Sequence, residues 1–206
     1  MSFRINNKGN SIPMKINGTL GSQQIYPIIA AITVGIAKGI AIPKLIDAFE
    51  KHSAPKGRMN ILKGMNDSTI IDDTYNASPD ALREGLTTLA SLQVSGKRIA
   101  VIGDMMELGN FSAEEHRKAG IQAIQSSDVL VTVGPRAKVM SDKAIAFNNS
   151  TDAGEYLKTI ISQGDVVYVK GSQSMRMERA VKMILNDPSL APKLLVRQDK
   201  EWLEKK

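Results

Sequence analysis

The sequence predicts an α/β protein in which helices flank a mostly parallel sheet, on three observations. From residue 59 onward, short β-branched runs alternate with amphipathic segments, as strand-helix-strand units require. The run at 69–71 is typical of a buried strand, and Ser78-Pro79 then marks a helix start. Glycines such as Gly103 fall at the ends of the inferred elements. We therefore expect a Rossmann-like arrangement.

The elements of this arrangement follow in chain order. Strands are expected at 69–71, 98–102, 129–133, 144–147 and 166–169, and helices at 80–92, 113–125, 152–161 and 175–185. Ser112, with Glu115 three residues later, has the spacing of a capping box for the second of these helices. We expect Glu114 and His116 to serve the same helix start rather than catalysis, and the methionines at 175, 177 and 183 to fill the core.

The first 55 residues have a different pattern. Residues 3–20 predict two short strands around a turn at Lys8, and residues 26–38 predict a helix that is apolar on nearly all sides. Pro43 opens a second amphipathic helix. Because residues 53–57 have the composition of a hinge, we expect two domains, at 1–55 and 56–206.

Composition excludes several classes of protein. The 206 residues include no cysteine and two distant histidines, so we expect no disulfide framework and no metal site. The apolar stretch at 25–42 is interrupted and too short for a membrane span, and a cytoplasmic protein is expected. The net charge of +6 is scattered, which favours a solvated surface over a nucleic-acid site.

Three polar loops follow inferred strands and should meet at one edge of the sheet. They begin at Asp72-Asp73, at Gly103-Asp104 and at Lys170. Each aspartate alone is equally explained as the cap of a turn, but the three loops together favour a binding site. The loop at 103–109 lacks the dinucleotide fingerprint, so a nicotinamide enzyme is excluded. The loop at 170–176 could bind an anion through its backbone amides, although it is no P-loop.

At these loops the sequence resembles the Mur ligases. The resemblance rests on Asp72-Asp73-Thr74-Tyr75-Asn76-Ala77, on Gly103-Asp104-Met105-Met106-Glu107-Leu108-Gly109, and on the segment from Lys170-Gly171-Ser172 to Arg176-Met177-Glu178. It covers residues 56–190 well, whereas residues 1–55 resemble more loosely the end of the family's central ATPase domain.

The resemblance implies a three-domain ligase that uses ATP and Mg²⁺. ATP would phosphorylate the carboxylate of UDP-N-acetylmuramoyl-tripeptide, and the amine of D-alanyl-D-alanine would attack the resulting acyl phosphate. The chain would supply mostly the last domain, the side of the acceptor. We therefore expect no catalytic residue within it and no activity of these residues alone.

The resemblance also implies roles for particular residues. Those expected at the nucleotide are Arg58, Asp73, Asn76, Asp72 and Tyr75. Those expected at the D-alanyl-D-alanine pocket are Asp104, Met105, Glu107, Leu108, Lys170, Ser172, Ser174 and Arg176.

Two departures from the family pattern leave an alternative open. No Gly-x-x-x-x-Gly-Lys-[Ser/Thr] occurs in the sequence, and Gln23, Gln24 and Pro27 stand where the family carries adenine-facing residues. The alternative is a stand-alone Rossmann-like binding or interaction module without catalysis. In either case the apolar helix at 26–38 needs partners, and we expect self-association through it or a rearranged amino-terminal segment.

Overall fold

The computed structural model of this chain describes residues 1–7 and 9–204. The first part of the chain forms an antiparallel hairpin followed by two helices. These elements are β1 (Ser2–Asn7), β2 (Asn10–Lys15), α1 (Ile25–Ala37) and α2 (Ile42–Glu50). They agree with the predicted elements, and the turn predicted at Lys8 lies outside the described residues.

A small apolar core holds this first unit together. It is built from Met14 and Ile16 near the hairpin, Ile28 and Ile32 on α1, and Leu45 on α2. The spacing of four residues on α1 places its two isoleucines on one face of the helix. Much of the remaining surface of α1 is exposed. No helix in the part of the chain that the structure describes is long and apolar enough to cross a membrane.

The rest of the chain is built around one six-stranded sheet. Its strands are β3 (Asn60–Lys63), β4 (Thr69–Asp73), β5 (Arg98–Gly103), β6 (Val129–Val133), β7 (Ile145–Phe147) and β8 (Val166–Lys170). The strand order is β3-β4-β8-β5-β6-β7, and every neighbouring pair is parallel except β3 with β4. The predicted mostly parallel sheet is confirmed, while the antiparallel edge strand β3 was not predicted.

Helices cover both faces of this sheet, as the alternating pattern predicts. They are α3 (Pro79–Ser91), α4 (Ser112–Ser126), α5 (Ser150–Ile160), α6 (Glu178–Ile184), α7 (Ala191–Leu194) and α8 (Lys200–Glu204). Leucines of α3 pack on one face of the sheet, against residues such as Ile102 and Tyr168. Residues of α5 and α6 pack on the other face, against Val131 and Val169. The α/β Rossmann-like fold is therefore confirmed.

The starts of two helices give opposite outcomes for the predicted caps. The Ser78 side chain caps α3 and accepts a hydrogen bond from the Ala81 amide at 3.4 Å. The capping box predicted for α4 is wrong, because the turn Gly109–Phe111 leads directly into the helix. Ser112 is therefore already helical, with φ −54°, and makes no cap, while Glu115 pairs with Lys118.

The strands at the centre of the sheet are longer than predicted, and this changes the site. β4 includes both Asp72 and Asp73, which were expected just beyond its end, and β8 includes Lys170. α6 begins at Glu178 rather than at 175, because a single turn at Gln173–Met175 precedes it and Arg176 then adopts a left-handed backbone conformation. The carboxylates are therefore part of the sheet and not of an open loop.

Candidate functional site

The three polar loops lie at one edge of the sheet, as predicted. β8 lies between β4 and β5, so the loops that follow these three strands are neighbours. Their parallel register places Asp73 beside Lys170, and Lys170 beside Ile102 on the other side. This is the edge at which open α/β sheets bind ligands.

Asp73 and Lys170 form a buried ion pair. The Lys170 Nζ lies 2.5 Å from Asp73 Oδ2 and also donates to the Asn76 carbonyl oxygen at 3.0 Å. The Tyr168 hydroxyl donates to the same Asp73 oxygen at 3.2 Å, and the Met59 amide donates to Oδ1 at 3.3 Å. Asp73 is 4% exposed and Lys170 is 1% exposed, so the carboxylate and the ammonium group pair with each other in the interior of the protein.

Burial changes the pKa of two groups in this cluster, the Asp73 carboxyl and the Tyr168 hydroxyl. It raises the pKa of Asp73, and the charge of Lys170 opposes that effect. Burial also raises the pKa of the Tyr168 hydroxyl well above its usual range, with a further contribution from the Asp73 charge. Tyr168 therefore remains a hydrogen-bond donor, and its role is to hold the Asp73 carboxylate.

Asp72 lies on the opposite face of β4 and is fully buried. Its Oδ1 accepts hydrogen bonds from the Thr74 amide at 3.2 Å and from the Thr74 hydroxyl at 2.6 Å. Its Oδ2 has no hydrogen-bond partner among the described residues. Burial raises the pKa of Asp72 to about 6, and the nearby charges of Asp73 and Glu178 add to the shift. Asp72 thus caps the turn at Thr74, which is one of the two roles that the sequence leaves open for this residue.

Three exposed residues lie close to the two aspartates, namely Arg58, Tyr75 and Asn76. The Arg58 guanidinium carbon lies 4.2 Å from the centre of the Tyr75 ring, a cation–π contact. The Tyr75 amide donates to the Gly57 carbonyl oxygen at 3.0 Å. A Cβ at Gly57, where φ is +68°, would lie 2.9 Å from the Tyr75 nitrogen, so only glycine permits this approach. These contacts hold the arginine and the tyrosine together.

Arg58 also lines a cavity of about 560 Å³ between the first unit and the start of α3, where Ala81 contributes to the wall. Most of the cavity wall is apolar, and Pro27, Ile28 and His52 contribute to it. Gln23 lines it as well, and its Oε1 is buried without a hydrogen-bond partner among the described residues. The segment that departs from the family pattern therefore lines the cavity beside Arg58. Its size and its few polar groups are typical of a small-molecule site.

The loop that follows β5 is held from two sides. Asp104 is buried, and its Oδ1 accepts a hydrogen bond from the Ala137 amide at 2.7 Å. Met105 is buried in the core, and its amide donates to Nε2 of His116 at 3.0 Å. Nδ1 of His116 lies 2.6 Å from the Ser112 carbonyl oxygen and must therefore carry the proton. His116 therefore joins this loop to α4.

The loops that follow β5 and β8 are joined by two hydrogen bonds. The Met106 amide donates to the Ser172 hydroxyl at 2.8 Å, and the Ser172 amide donates to the Asp104 carbonyl oxygen at 3.0 Å. Ser172 is buried, Leu108 is partly buried, and Glu107 is exposed. Ser174 is exposed on the neighbouring loop. Only Glu107 and Ser174 among the predicted acceptor residues are classed as exposed.

Arg176 belongs to a second buried ion cluster that sequence reasoning missed. Its Nε donates to Glu178 Oε1 at 2.6 Å, and Nε of Arg197 donates to Glu178 Oε2 at 3.1 Å. All three residues are buried. No motif or spacing links Arg197 to the other two, because it lies 19 residues beyond Glu178. Only the folded chain brings them together.

No metal centre is evident at this edge. Within residues 1–7 and 9–204, no group of three or more histidine, aspartate or glutamate side chains could hold a metal ion. The carboxylates of Asp72 and Asp73 are buried and hydrogen-bonded within the fold. The described residues therefore do not fit a Mg²⁺ site.

The doubly wound sheet with polar loops at its carboxyl edge defines an α/β domain of the Rossmann-like class. Residues 57–173 match the family described as Mur ligase, glutamate ligase domain, and the chain belongs to this family.

The curated relatives are UDP-N-acetylmuramoyl-tripeptide--D-alanyl-D-alanine ligases. The chain is 27% identical to that of Bacillus subtilis (strain 168) over 181 residues, which cover 82% of this chain and 39% of the relative. It is 29% identical to that of Mycobacterium leprae (strain TN) over 202 residues, which cover 85% of this chain and 39% of the relative. The chain thus spans about two fifths of the length of these relatives.

Solved structures show the same likeness. The MurF ligase from Thermotoga maritima, in complex with ADP, superposes with a TM-score of 0.79 at 28% identity. The match covers 93% of this chain and 44% of that one. MurF from Acinetobacter baumannii superposes with a TM-score of 0.74 at 26% identity, covering 87% of this chain and 41% of that one.

Proposed function

We propose that this chain forms the part of an ATP-dependent ligase that binds the nucleotide and the acceptor, in an enzyme that joins D-alanyl-D-alanine to UDP-N-acetylmuramoyl-tripeptide. The observation that carries the proposal is the Arg58–Tyr75 pair, exposed beside a 560 Å³ cavity. The relatives named as this ligase, and the ADP complex of one similar structure, support the choice of ligands.

In this proposal the exposed residues contact the nucleotide directly. Arg58 and Tyr75 together offer a positive charge and an aromatic face, and Asn76 offers an amide beside them. The apolar cavity suits a nucleobase. ATP would supply the phosphoryl group that activates a carboxylate.

The buried carboxylates take a supporting role in this proposal. Asp73 holds Lys170 and the Met59 amide, which lies next to Arg58 in the chain. Asp72 orders Thr74, which lies next to Tyr75. We therefore propose that both aspartates act on the nucleotide through the backbone that carries the exposed pair. We assign no residue of this chain to Mg²⁺.

On the acceptor side, Glu107 and Ser174 are the candidates for direct contact. The Glu107 carboxylate is exposed at the edge of the sheet, where it suits the ammonium group of a dipeptide. Most of the other predicted acceptor residues are buried and hold the loops that carry this face, namely Asp104, Met105, Ser172 and Lys170. Arg176 pairs with Glu178 nearby. Leu108 packs against the core beneath it.

We further propose that residues 1–55 and 56–206 are separate domains. The first unit has a core of its own, and residues 51–59 between it and β3 form no helix or strand. The two parts meet through main-chain hydrogen bonds, from the Leu20 amide to Met59 and from the Ile61 amide to Gly18. The cavity beside Arg58 lies at this junction, so a ligand there would contact both parts.

A titration with ADP tests the nucleotide proposal. Arg58→Ala removes the exposed charge and its stacking on Tyr75, and we expect it to weaken ADP binding by roughly tenfold. Arg83→Ala is the matched control, since Arg83 is also an exposed arginine but pairs with Asp80 on α3. Isothermal titration calorimetry on the wild type and both variants measures the effect. Absence of ADP binding to the wild type, or equal binding by the two variants, would contradict the proposal.

A further inference from the structure

We propose that Arg197 is a positioning residue for the candidate nucleotide site, acting through the loop that carries Tyr75. The segment 195–198 would then preset the Arg58–Tyr75 pair before any ligand binds. The inference rests on the proposed nucleotide function, because that function gives the exposed pair its purpose.

The contacts of a single guanidinium carry this inference. Arg197 Nη2 donates to the Thr74 carbonyl oxygen at 2.5 Å, and Nη1 donates to the Tyr75 carbonyl oxygen at 3.1 Å. Nε donates to Glu178 Oε2 at 3.1 Å. One side chain thus fixes two consecutive carbonyl groups of the loop to a buried carboxylate on α6. The planar fork of arginine can make these bonds together, whereas the single ammonium of lysine cannot.

The anchor for this side chain is itself firmly held. Glu178 is fully buried, and Arg176 binds its other carboxylate oxygen at 2.6 Å. Arg197 is also buried, and a buried charge is tolerated when it is paired and hydrogen-bonded as here. The backbone of Arg197 has a φ of +55°, a conformation that is uncommon for a residue other than glycine.

The same segment also contacts the other half of the exposed pair. A Cβ placed on Gly57 would lie 3.1 Å from Cγ1 of Val196, so Val196 packs directly against the residue before Arg58. The Lys56 Nζ donates to the Pro192 carbonyl oxygen at 3.0 Å. The backbone segments that carry Arg58 and Tyr75 therefore both contact residues 192–197.

The test compares Arg197→Ala with a variant of similar stability loss elsewhere. Leu157→Ala removes a fully buried side chain on α5 and serves as that control. With both variants folded, we expect Arg197→Ala to weaken ADP binding by roughly tenfold, because a displaced contact group loses its geometry. We expect Leu157→Ala to bind ADP within about twofold of the wild type, since the loop contacts remain.

Amide hydrogen exchange provides a readout that does not depend on ADP. The Tyr75 amide donates a hydrogen bond to the Gly57 carbonyl oxygen, and we expect its exchange to accelerate in Arg197→Ala. In Leu157→Ala we expect no acceleration beyond what the loss of global stability causes. Arg197→Lys should give an intermediate result, and it replaces the alanine variant if that variant does not fold. Unchanged Tyr75 exchange and unchanged ADP affinity in the Arg197 variants would overturn the inference.

The two proposals can fail separately. If Arg58→Ala leaves ADP binding unchanged, the nucleotide function is wrong, while the exchange at Tyr75 still tests the positioning by Arg197. If Arg58→Ala weakens binding but Arg197→Ala behaves like Leu157→Ala in both measurements, the positioning inference alone is wrong.

Discussion

At the scale of single residues, Asp73 and Lys170 show that a sequence motif does not reveal which group a charged side chain contacts. Both belong to the loops that predict a ligand site, yet the parallel register of β4 and β8 pairs them with each other. Sequence patterns identify charged residues at strand ends, but strand order decides whether a charge faces a ligand or a neighbouring strand. The exposed Arg58 and Tyr75 are therefore better candidates for direct contact than the buried pair.

Asp72 gives a prediction of pH dependence. Its pKa in the folded protein is about 6, above the ordinary value of 3.8. Between these values the folded state binds more protons than the unfolded state, so the free energy of unfolding falls as the pH rises. The ionised carboxylate then lowers stability by roughly 3 kcal/mol above pH 6, because each pKa unit corresponds to about 1.4 kcal/mol. Asp72→Asn keeps the oxygen that accepts from Thr74 but cannot ionise.

Urea unfolding of the wild type and of Asp72→Asn between pH 4 and pH 7.5 measures this effect. We expect the variant to gain stability relative to the wild type as the pH rises, with most of the gain complete slightly above pH 6. Titrating groups that lie far from Asp72 are common to both proteins and cancel in the difference. A difference that stays constant over this range would show that Asp72 titrates normally.

At the scale of elements, periodicity predicts the helices well and their boundaries less well. The apolar spacing of α3 and its start at Ser78 follow from local signals, which sequence reasoning reads directly. The false capping box at Ser112 arises because a turn upstream makes that residue helical. β3 escapes notice because it is four residues long and lies at the sheet edge, where its side chains alternate between half-buried and exposed.

The two serines offer a matched test of this account. Ser78→Ala removes a side-chain cap and should lower the free energy of unfolding by about 1 kcal/mol. Ser112→Ala removes a hydroxyl that caps no helix, and it should change stability by less than about 0.5 kcal/mol. Thermal and urea unfolding of both variants measure these two changes in stability. An equal loss would restore the capping box as the explanation for the start of α4.

At the scale of the whole molecule, the loops of the site could be predicted but their partnerships could not. The alternation of elements predicts a parallel sheet, and hence loops at a common edge. It does not predict that β8 inserts between β4 and β5, which brings Lys170 to Asp73. Nor does it reveal Arg197, whose partners Thr74 and Tyr75 lie more than 120 residues away in the chain. Contacts of such separation depend on the complete fold.

The surface of α1 supports our prediction of self-association. Tyr26 and Val34 are 76% and 61% exposed, and Ile29, Ile36 and Ile40 are also exposed in and beside this helix. A contiguous apolar surface of this kind favours association, and we propose a second copy of this chain as its partner. We expect residues 1–206 to sediment with a concentration-dependent coefficient.

A charge on this surface should prevent the association, because a lysine there would be buried at the contact without a partner. We therefore expect Val34→Lys to sediment as a monomer at every concentration. Phe111→Lys is the control, since Phe111 is 68% exposed but lies beside α4 rather than on α1. It should associate like the wild type. A wild-type protein that remains monomeric throughout the concentration range would contradict the prediction, and loss of association in the Phe111 variant would place the contact elsewhere.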